Sequence, residues 1–308
     1  MRACYHTHTS RCNHAVGEDE KYVISAIERG VRTLGFSCHA PMFYPGGYES
    51  YYKMKPSELS EYVRSISVLR KKYAEKIDIK IGLEAEYYPE LYREAMELWR
   101  ENSIEYLILG QHFVDKEYGE GKDASTKPSD DKGRVTDYVD RVIAAMELGV
   151  FTIFAHPDII NYTGGDNEFY DGEMRRLIDA AIKCGVYLEY NLLGQSDERA
   201  YPVPRFWQLV AEKGARVILG CDAHSPDRVA KEDEILRAKA FLSSLGITPD
   251  DEIELISIYS RNPTGFSDGR NIFEKAIDKP PRLCYNTIVQ RKYPRKCCYG
   301  SAGRAHPW

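Results

Sequence analysis

Residues 2–15 read Arg-Ala-Cys-Tyr-His-Thr-His-Thr-Ser-Arg-Cys-Asn-His-Ala. A short run suited to a buried strand gives way to His6 and His8, and His14 follows in what reads as a loop. Residues two apart on a strand point the same way, so His6 and His8 present two imidazoles in one direction. The same design recurs outward from this stretch. Apolar or β-branched runs at 33–37, 79–83, 106–109, 151–155, 186–190 and 216–220 each end in groups capable of chemistry. In order these are His39, Glu84 with Glu86, Gln111-His112, His156 with Asp158, Glu189 with Asn191, and Asp222 with His224.

Stretches of helical spacing separate the runs, at 18–29, 55–76, 90–100, 134–148, 173–184, 204–213 and 228–245. Short runs alternating with longer amphipathic ones imply βα units and a parallel sheet. Gly30, Gly149, Gly185 and Gly214 sit where helices hand over to strands, the usual left-handed stop. Seven such units, with no GxGxxG after the first run, predict an α/β fold: a distorted (β/α)7 barrel, an incomplete relative of the eightfold form. Such a barrel gathers all strand C-termini on one face, where its chemistry is done.

Composition sets the remaining bounds. The 308 residues carry 42 basic and 47 acidic side chains, a net charge of −5, which argues against a chain-wide nucleic-acid surface. No apolar run approaches the ~18 residues of a membrane-spanning helix. The first residues show no apolar core of a signal peptide, and eight cysteines are too sparse for a disulfide scaffold, so the expected location is the cytoplasm. The expected division is a barrel over 1–280 and a basic, partly ordered tail over 281–308. Residues 42–53 and 113–132 read as loops over one end of the barrel.

Seven of the eight histidines fall at or beside the proposed rim; His306 alone lies in the tail. Imidazoles converging with carboxylates are what borderline divalent metals require. One site takes three or four protein ligands, so His6, His8, His14, His39, Glu84, His112, His156, Asp222 and His224, with one carboxylate bridging, imply three ions. Three divalent ions against two carboxylates leave a net positive charge that attracts a phosphate dianion, and water on such ions ionises near neutral pH. Zn, Mn and Fe all accept this donor set.

The motifs HTHTSRCNHA (6–15), GFSCHAPM (35–42), GLEAEYYPE (82–90), LGQHFV (109–114), FAHPDII (154–160), EYNLLGQSDERAYP (189–202) and Asp222-Ala223-His224 together resemble the polymerase and histidinol phosphatase (PHP) superfamily, in its monofunctional histidinol-phosphatase branch. The resemblance runs from residue 6 to 224 and does not cover the tail. It implies that His6, His8, Glu84 and Asp222 hold one ion, that Glu84 shares a second with His112 and His156, and that His14, His39 and His224 hold the third. Glu84, Asp222 and His224 would stand at the centre of catalysis. The implied reaction is hydrolysis of L-histidinol phosphate to L-histidinol and phosphate, in histidine biosynthesis, by in-line attack of a metal-bridging hydroxide. Two alternatives are a phosphoesterase acting on nucleotides or nucleic-acid 3′ ends, and a metal-binding regulatory module without catalysis.

Around the ligands, Arg199 suits a phosphate clamp, with a loop salt bridge to Asp197 or Glu198 as the plainer reading. Asn191 is expected to orient substrate or support ligands, and Glu86 to meet the substrate amine or an arginine. Glu189 and Gln111 are weaker supporting candidates, and Arg11 and Arg134 could add positive charge. The aromatic residues 43–52 either close over an imidazole or pack on the rim. Cys4, Cys12, Cys38 and Cys221 lie next to ligand positions; each is either a competing thiolate ligand or a small buried hydrophobe. The expected partner is a small phosphate monoester, with neither membrane nor nucleic acid; oligomeric state is open.

Overall fold

The structure is a computed structural model that describes residues 1–119 and 123–259. Seven strands, β1 (Ala3–Cys4), β2 (Thr33–Phe36), β3 (Asp78–Ala85), β4 (Tyr106–Leu109), β5 (Phe151–Phe154), β6 (Tyr187–Asn191) and β7 (Val217–Gly220), form one sheet in chain order. Every adjacent pair is parallel. The ends of the sheet meet twice. At the C-terminal side Thr7 bridges Ala223, with His8 N–H donating to Ala223 O at 2.9 Å. At the opposite side residues 250–251 fill the gap: Asp250 N–H donates to Val217 O (2.8 Å) and Ala3 N–H to Asp251 O (3.0 Å). The barrel is closed by a backbone wedge in place of an eighth strand. The short β1 explains the need, since two residues cannot satisfy all the ladder groups of β7.

Alternate residues fill the interior. Ala3, Tyr5, Tyr106, Ile108, Ile153, Ala155 and Ile218 form one buried cluster, as the two-residue period of a strand demands. Tyr106 is the plug; its hydroxyl donates to Tyr5 O at 2.6 Å, and its ring lies where side chains at Gly35 and Gly82 would stand.

The helices wrap the outside: α1 (Asp19–Glu28), α2 (Leu59–Lys72), α3 (Pro89–Glu101), α4 (Lys132–Met146), α5 (Asn167–Cys184), α6 (Leu192–Ser196), α7 (Pro204–Lys213) and α8 (Glu232–Ser244). Each of the long ones buries one stripe. In α4 the buried positions are Arg134, Val135, Tyr138, Val139, Val142, Ala145 and Met146, an i, i+3, i+4, i+7 pattern. Gly185 and Gly214 cap α5 and α7 at φ 71° and 66°, the left-handed stop expected of them. Helix α5 begins at Asn167, ahead of the residue 173 predicted, because the Asp166 side chain accepts from Phe169 N–H and starts the first turn. The short α6 was not foreseen; it follows β6 directly and is capped by Asn191. The boundary expected at residue 280 and the tail lie outside the described residues. Among the described residues no helix is long and apolar enough to cross a membrane.

Candidate metal centre

The strand ends bring together all nine side chains singled out as ligands. Glu84 stands in the middle, on the last turn of pleat in β3. Its Oε2 lies 3.5 Å from His6 Nε2, 3.6 Å from His8 Nε2 and 2.9 Å from His39 Nδ1. Its Oε1 lies 3.0 Å from His156 Nε2 and 3.6 Å from His112 Nε2. Asp222 Oδ1 lies 3.0 Å from His8 Nε2, 3.5 Å from His6 Nε2 and 3.4 Å from His224 Nδ1. His14 comes from the loop after β1, and its Nε2 meets His224 Nε2 at 2.9 Å. Donor atoms fall into compact groups: His6, His8 and Asp222; His39, Glu84 and His112; His8, His39 and His224. His39 therefore sits with Glu84 as well as beside His14 and His224, where the resemblance implied a set with His14 and His224 alone.

The hydrogen bonds show what the donors are prepared for. His14 Nδ1 donates to Cys12 O (2.7 Å) and His224 Nδ1 to Asp222 O (2.9 Å), so each ring carries its proton on Nδ1. Burial pushes the pKa of both below the ordinary histidine value, and a positive His8 pushes the same way. The Nε2 atoms of the two rings, turned away from those carbonyls, face each other across 2.9 Å. Glu84 Oε2 is buried amid imidazole nitrogens, yet makes no well-formed hydrogen bond. Converging ring nitrogens and a buried carboxylate oxygen with no hydrogen-bond partner are a donor set that suits cations.

Charge is arranged to match. Burial disfavours the ionised forms of Glu84 and Asp222, but His39, His112 and His6 hold Glu84 well below the usual carboxylate range, and His6 and His8 do so for Asp222. Burial likewise opposes charge on His6, and is outweighed by Glu189, Asp222 and Glu84, which hold its pKa well above ordinary. That carboxylate field favours any cation, proton or metal.

A second layer holds the rings still. Glu189 Oε2 accepts from His6 Nδ1 at 2.7 Å. Asn191 Nδ2 donates to Glu189 Oε1 (2.8 Å) and to Asp222 Oδ2 (3.1 Å), while its Oδ1 accepts from Gly194 N–H. Glu86 Oε1 accepts from both His112 Nδ1 and His112 N–H, each at 3.1 Å. Asn191 and Glu86, weighed as substrate contacts, are buried with their polar atoms engaged behind the rings. Two glycines make room: a Cβ on Gly110 would stand 2.0 Å from Glu84 Oε1, and one on Gly220 2.0 Å from Glu189 Oε2. His156 and Asp222 themselves adopt φ of 34° and 48°, strain of about 1–3 kcal/mol each that the surrounding packing must offset.

The rim holds other expected residues. Arg199 is 40% exposed; its guanidinium donates to Tyr201 Oη at 3.1 Å and to Asp197 at 3.4 Å. Arg11 is tied to Asp19 and Glu61, and Arg134 to Asp123, so neither faces the centre. Gln111 is used up between Tyr87 N–H and Phe113 O. Asp158 accepts from Val203 N–H and Trp207 Nε1, and burial raises its pKa to about 6.

Of the two readings of the aromatic residues 43–52, Tyr52 follows the one that packs on the rim, while the burial of Lys53 was missed. Tyr52 lies with ring centroids 5.6 Å from His39, 6.3 Å from His14 and 6.4 Å from His112, forming a wall of the centre. Tyr201 stands 5.5 Å from His156 on another side. Lys53, 3% exposed, donates to Glu86 (2.9 Å), Glu117 (2.7 Å) and Tyr44 Oη (2.9 Å). Only the density of tyrosines around 44–52 hinted at a packed loop; nothing in the local sequence marks Lys53 as buried.

A sequence model described as the PHP domain matches residues 5–192. A protein of Deinococcus radiodurans named "Probable histidinol-phosphatase" is 28% identical over 230 residues, covering 73% of this chain and 86% of the relative. A Schizosaccharomyces pombe protein of the same name is 26% identical over 267 residues, covering 79% and 86%. A solved structure from Lactococcus lactis, described as histidinol phosphate phosphatase complexed with zinc, L-histidinol and phosphate, shares the fold at a TM-score of 0.64 and 18% identity. It covers 83% of this chain and 97% of that one.

Proposed function

From the premise that the chain belongs to the PHP domain family, we propose that it is a metal-dependent phosphomonoesterase that hydrolyses L-histidinol phosphate to L-histidinol and phosphate. The observation that carries the reading is the convergence of imidazoles on two buried carboxylates, His6, His8, His39, His112 and His156 around Glu84 and His6, His8 and His224 around Asp222, with His14 Nε2 2.9 Å from His224 Nε2. Supporting it are relatives from a bacterium and a yeast that bear the name histidinol-phosphatase and match most of their own length.

His6, His8, His14, His39, Glu84, His112, His156, Asp222 and His224 hold three divalent ions in this proposal, zinc being one candidate alongside manganese and iron. Such ions supply Lewis-acid charge to phosphoryl oxygens and acidify water enough to make it a nucleophile near neutral pH. The chain's own part is position and exclusion. Glu189 and Glu86 fix the tautomers of His6 and His112 by accepting their Nδ1 protons. Asn191 ties Glu189 to Asp222, so that both carboxylates keep one orientation. Arg199 offers its planar fork to the phosphate at the open edge, and Tyr201 holds that fork through its hydroxyl. Tyr52 walls off bulk water on the side of His39. The free buried cysteines suit a cytoplasmic setting.

Phosphate release by purified, metal-loaded protein tests this, with histidinol phosphate, a nucleoside bisphosphate and a 3′-phosphorylated oligonucleotide offered side by side. Turnover of histidinol phosphate well above the other two is expected. Preference for either nucleotide substrate moves the assignment to a nucleic-acid-related phosphoesterase; no release from any leaves a metal-binding module.

A further inference from the structure

Behind His8 lies a second group of donors that the proposed reaction does not use. Cys12 Sγ, Cys38 Sγ and a ring nitrogen of His8 lie within 4.8 Å of one another. All three residues are fully buried. His8 Nε2 faces Asp222 at 3.0 Å, while Nδ1, on the other edge of the ring, is buried with no hydrogen-bond partner. Thr9 completes the nest. Its carbonyl oxygen lies 3.1 Å from Cys12 Sγ and 3.6 Å from Cys38 Sγ, and its buried hydroxyl is also unpartnered.

We propose that Cys12, Cys38 and His8 Nδ1 form a binding site for a thiophilic divalent cation, with Thr9 O closing the fourth side. Two sulfurs and one imidazole nitrogen are a soft donor set, distinct from the all-imidazole and carboxylate groups in front of it. Ligand distances of about 2.3 Å for sulfur and 2.1 Å for nitrogen place tetrahedral donors roughly 3.5–3.8 Å apart, within the spread observed. Charge balances as well. In a dry interior a divalent ion needs two compensating charges, and two thiolates supply them without an outside counterion. On binding, the protons carried by Cys12 Sγ, Cys38 Sγ and His8 Nδ1 leave to solvent, while His8 Nε2 keeps its own and donates it to Asp222 Oδ1.

A neutral ring offers one lone pair, so His8 serves the nest or the front centre and not both. If the phosphatase reading above holds, an ion in the nest removes His8 from that centre and lowers turnover; the nest itself does not depend on that reading.

The test is a Cd2+ titration of the full-length, metal-loaded protein under reducing conditions, in a background with Cys284, Cys297 and Cys298 changed to serine. Imidazole and carboxylate ligands give no sulfur-to-cadmium charge-transfer band, so near-ultraviolet absorbance reports thiolates alone. The expected result is a band that saturates at one equivalent per chain and disappears in Cys38→Ser and in Cys12→Ser. A band of equal size in Cys38→Ser overturns the proposal, including the case where Cys12→Ser alone removes it, because Cys12 also neighbours His14 and His224. Should a variant fail to fold by circular dichroism, 113Cd NMR of the parent decides: a resonance with two sulfur ligands supports the nest, and only nitrogen- and oxygen-ligated resonances refute it. Phosphate release is followed in parallel, so loss of the band and absence of phosphatase activity read separately.

Discussion

Gly110 and Glu84 are fitted to each other: a methyl group at Gly110 would lie 2.0 Å from the Oε1 atom of Glu84 and 2.5 Å from its Cδ. No rotamer adjustment of a distant tip resolves this, because Glu84 is walled in by His6, His8, His39, His112 and His156. The prediction is that Gly110→Ala drives the carboxylate out of the centre, lowering kcat and metal content together, by about 100-fold or more in activity. Elemental analysis beside steady-state kinetics checks it. Full metal content with normal turnover would show that Glu84 is not a ligand.

Glu189 acts one layer further back. Glu189→Gln keeps the size and still offers an oxygen to His6 Nδ1, but removes a charge and brings an amide that can face Asn191 Nδ2 wrongly. Metal affinity is expected to fall about 10–100-fold with little change in KM once metal is saturating. Competition with a chelator of known affinity measures the first, and an unchanged affinity would make Glu189 a bystander.

What could be read in advance, and what could not, follows from where the information sits. His39, Glu84, His112, His156 and Asp222 were legible because a polar, titratable group directly after an apolar run has no packing reason to be there. The unit count came from the repeat of strand and helix, and each predicted strand overlaps an observed one. The closure through Asp250 and Asp251 was not legible, since it uses backbone groups of two polar residues. Gly110 and Gly220 look like any glycine at a strand end; their role depends on what fills the space beside them. Lys53 and Glu117 lie 64 residues apart, and only the folded loops make them a pair.

Asp222→Asn tests the carboxylate nearest the open side. The amide conserves shape and still reaches Asn191, so the fold should persist, but the charge that His6 and His8 face is lost. Turnover is expected to fall by about two orders of magnitude or more at saturating substrate. Circular dichroism and thermal melts establish that the loss is chemical, and comparable turnover in the variant would remove Asp222 from the ligand set.

Arg199 predicts a different kinetic signature. Its guanidinium is partly exposed and held by Tyr201 Oη, whose ring stands 5.5 Å from His156. Arg199→Ala should raise KM by about 10-fold or more, the loss of a charge-assisted contact to phosphate, with a smaller effect on kcat. Tyr201→Phe, which frees the fork without removing it, should give a milder rise in the same parameter. An unaltered KM in Arg199→Ala would leave the residue with only its link to Asp197.

Lys53 ties stability to pH. Its ammonium is buried between Glu86 and Glu117, with the rings of Tyr52, Tyr44 and Tyr88 at 5.1, 5.6 and 5.8 Å. Burial alone would raise the pKa of both acids; Lys53, joined at Glu86 by His112 and Tyr88, instead brings Glu86 down to about 2, and it brings Glu117 below its ordinary value. Carboxylates depressed on folding stabilise the native state above their unfolded pKa, and that contribution is lost as pH falls through the native values. Lys53→Met leaves two acids buried without their counter-charge, which costs about 3–5 kcal/mol near pH 7. Without the lysine, burial pushes both pKa values up, so protonation relieves the variant as the solution is acidified. The gap between variant and parent should therefore be widest at neutral pH and narrow towards pH 4, and Glu117→Gln in the same chain should recover part of it. Denaturant midpoints at the two pH values measure this, and a gap independent of pH would mean that Lys53 contributes packing and no charge.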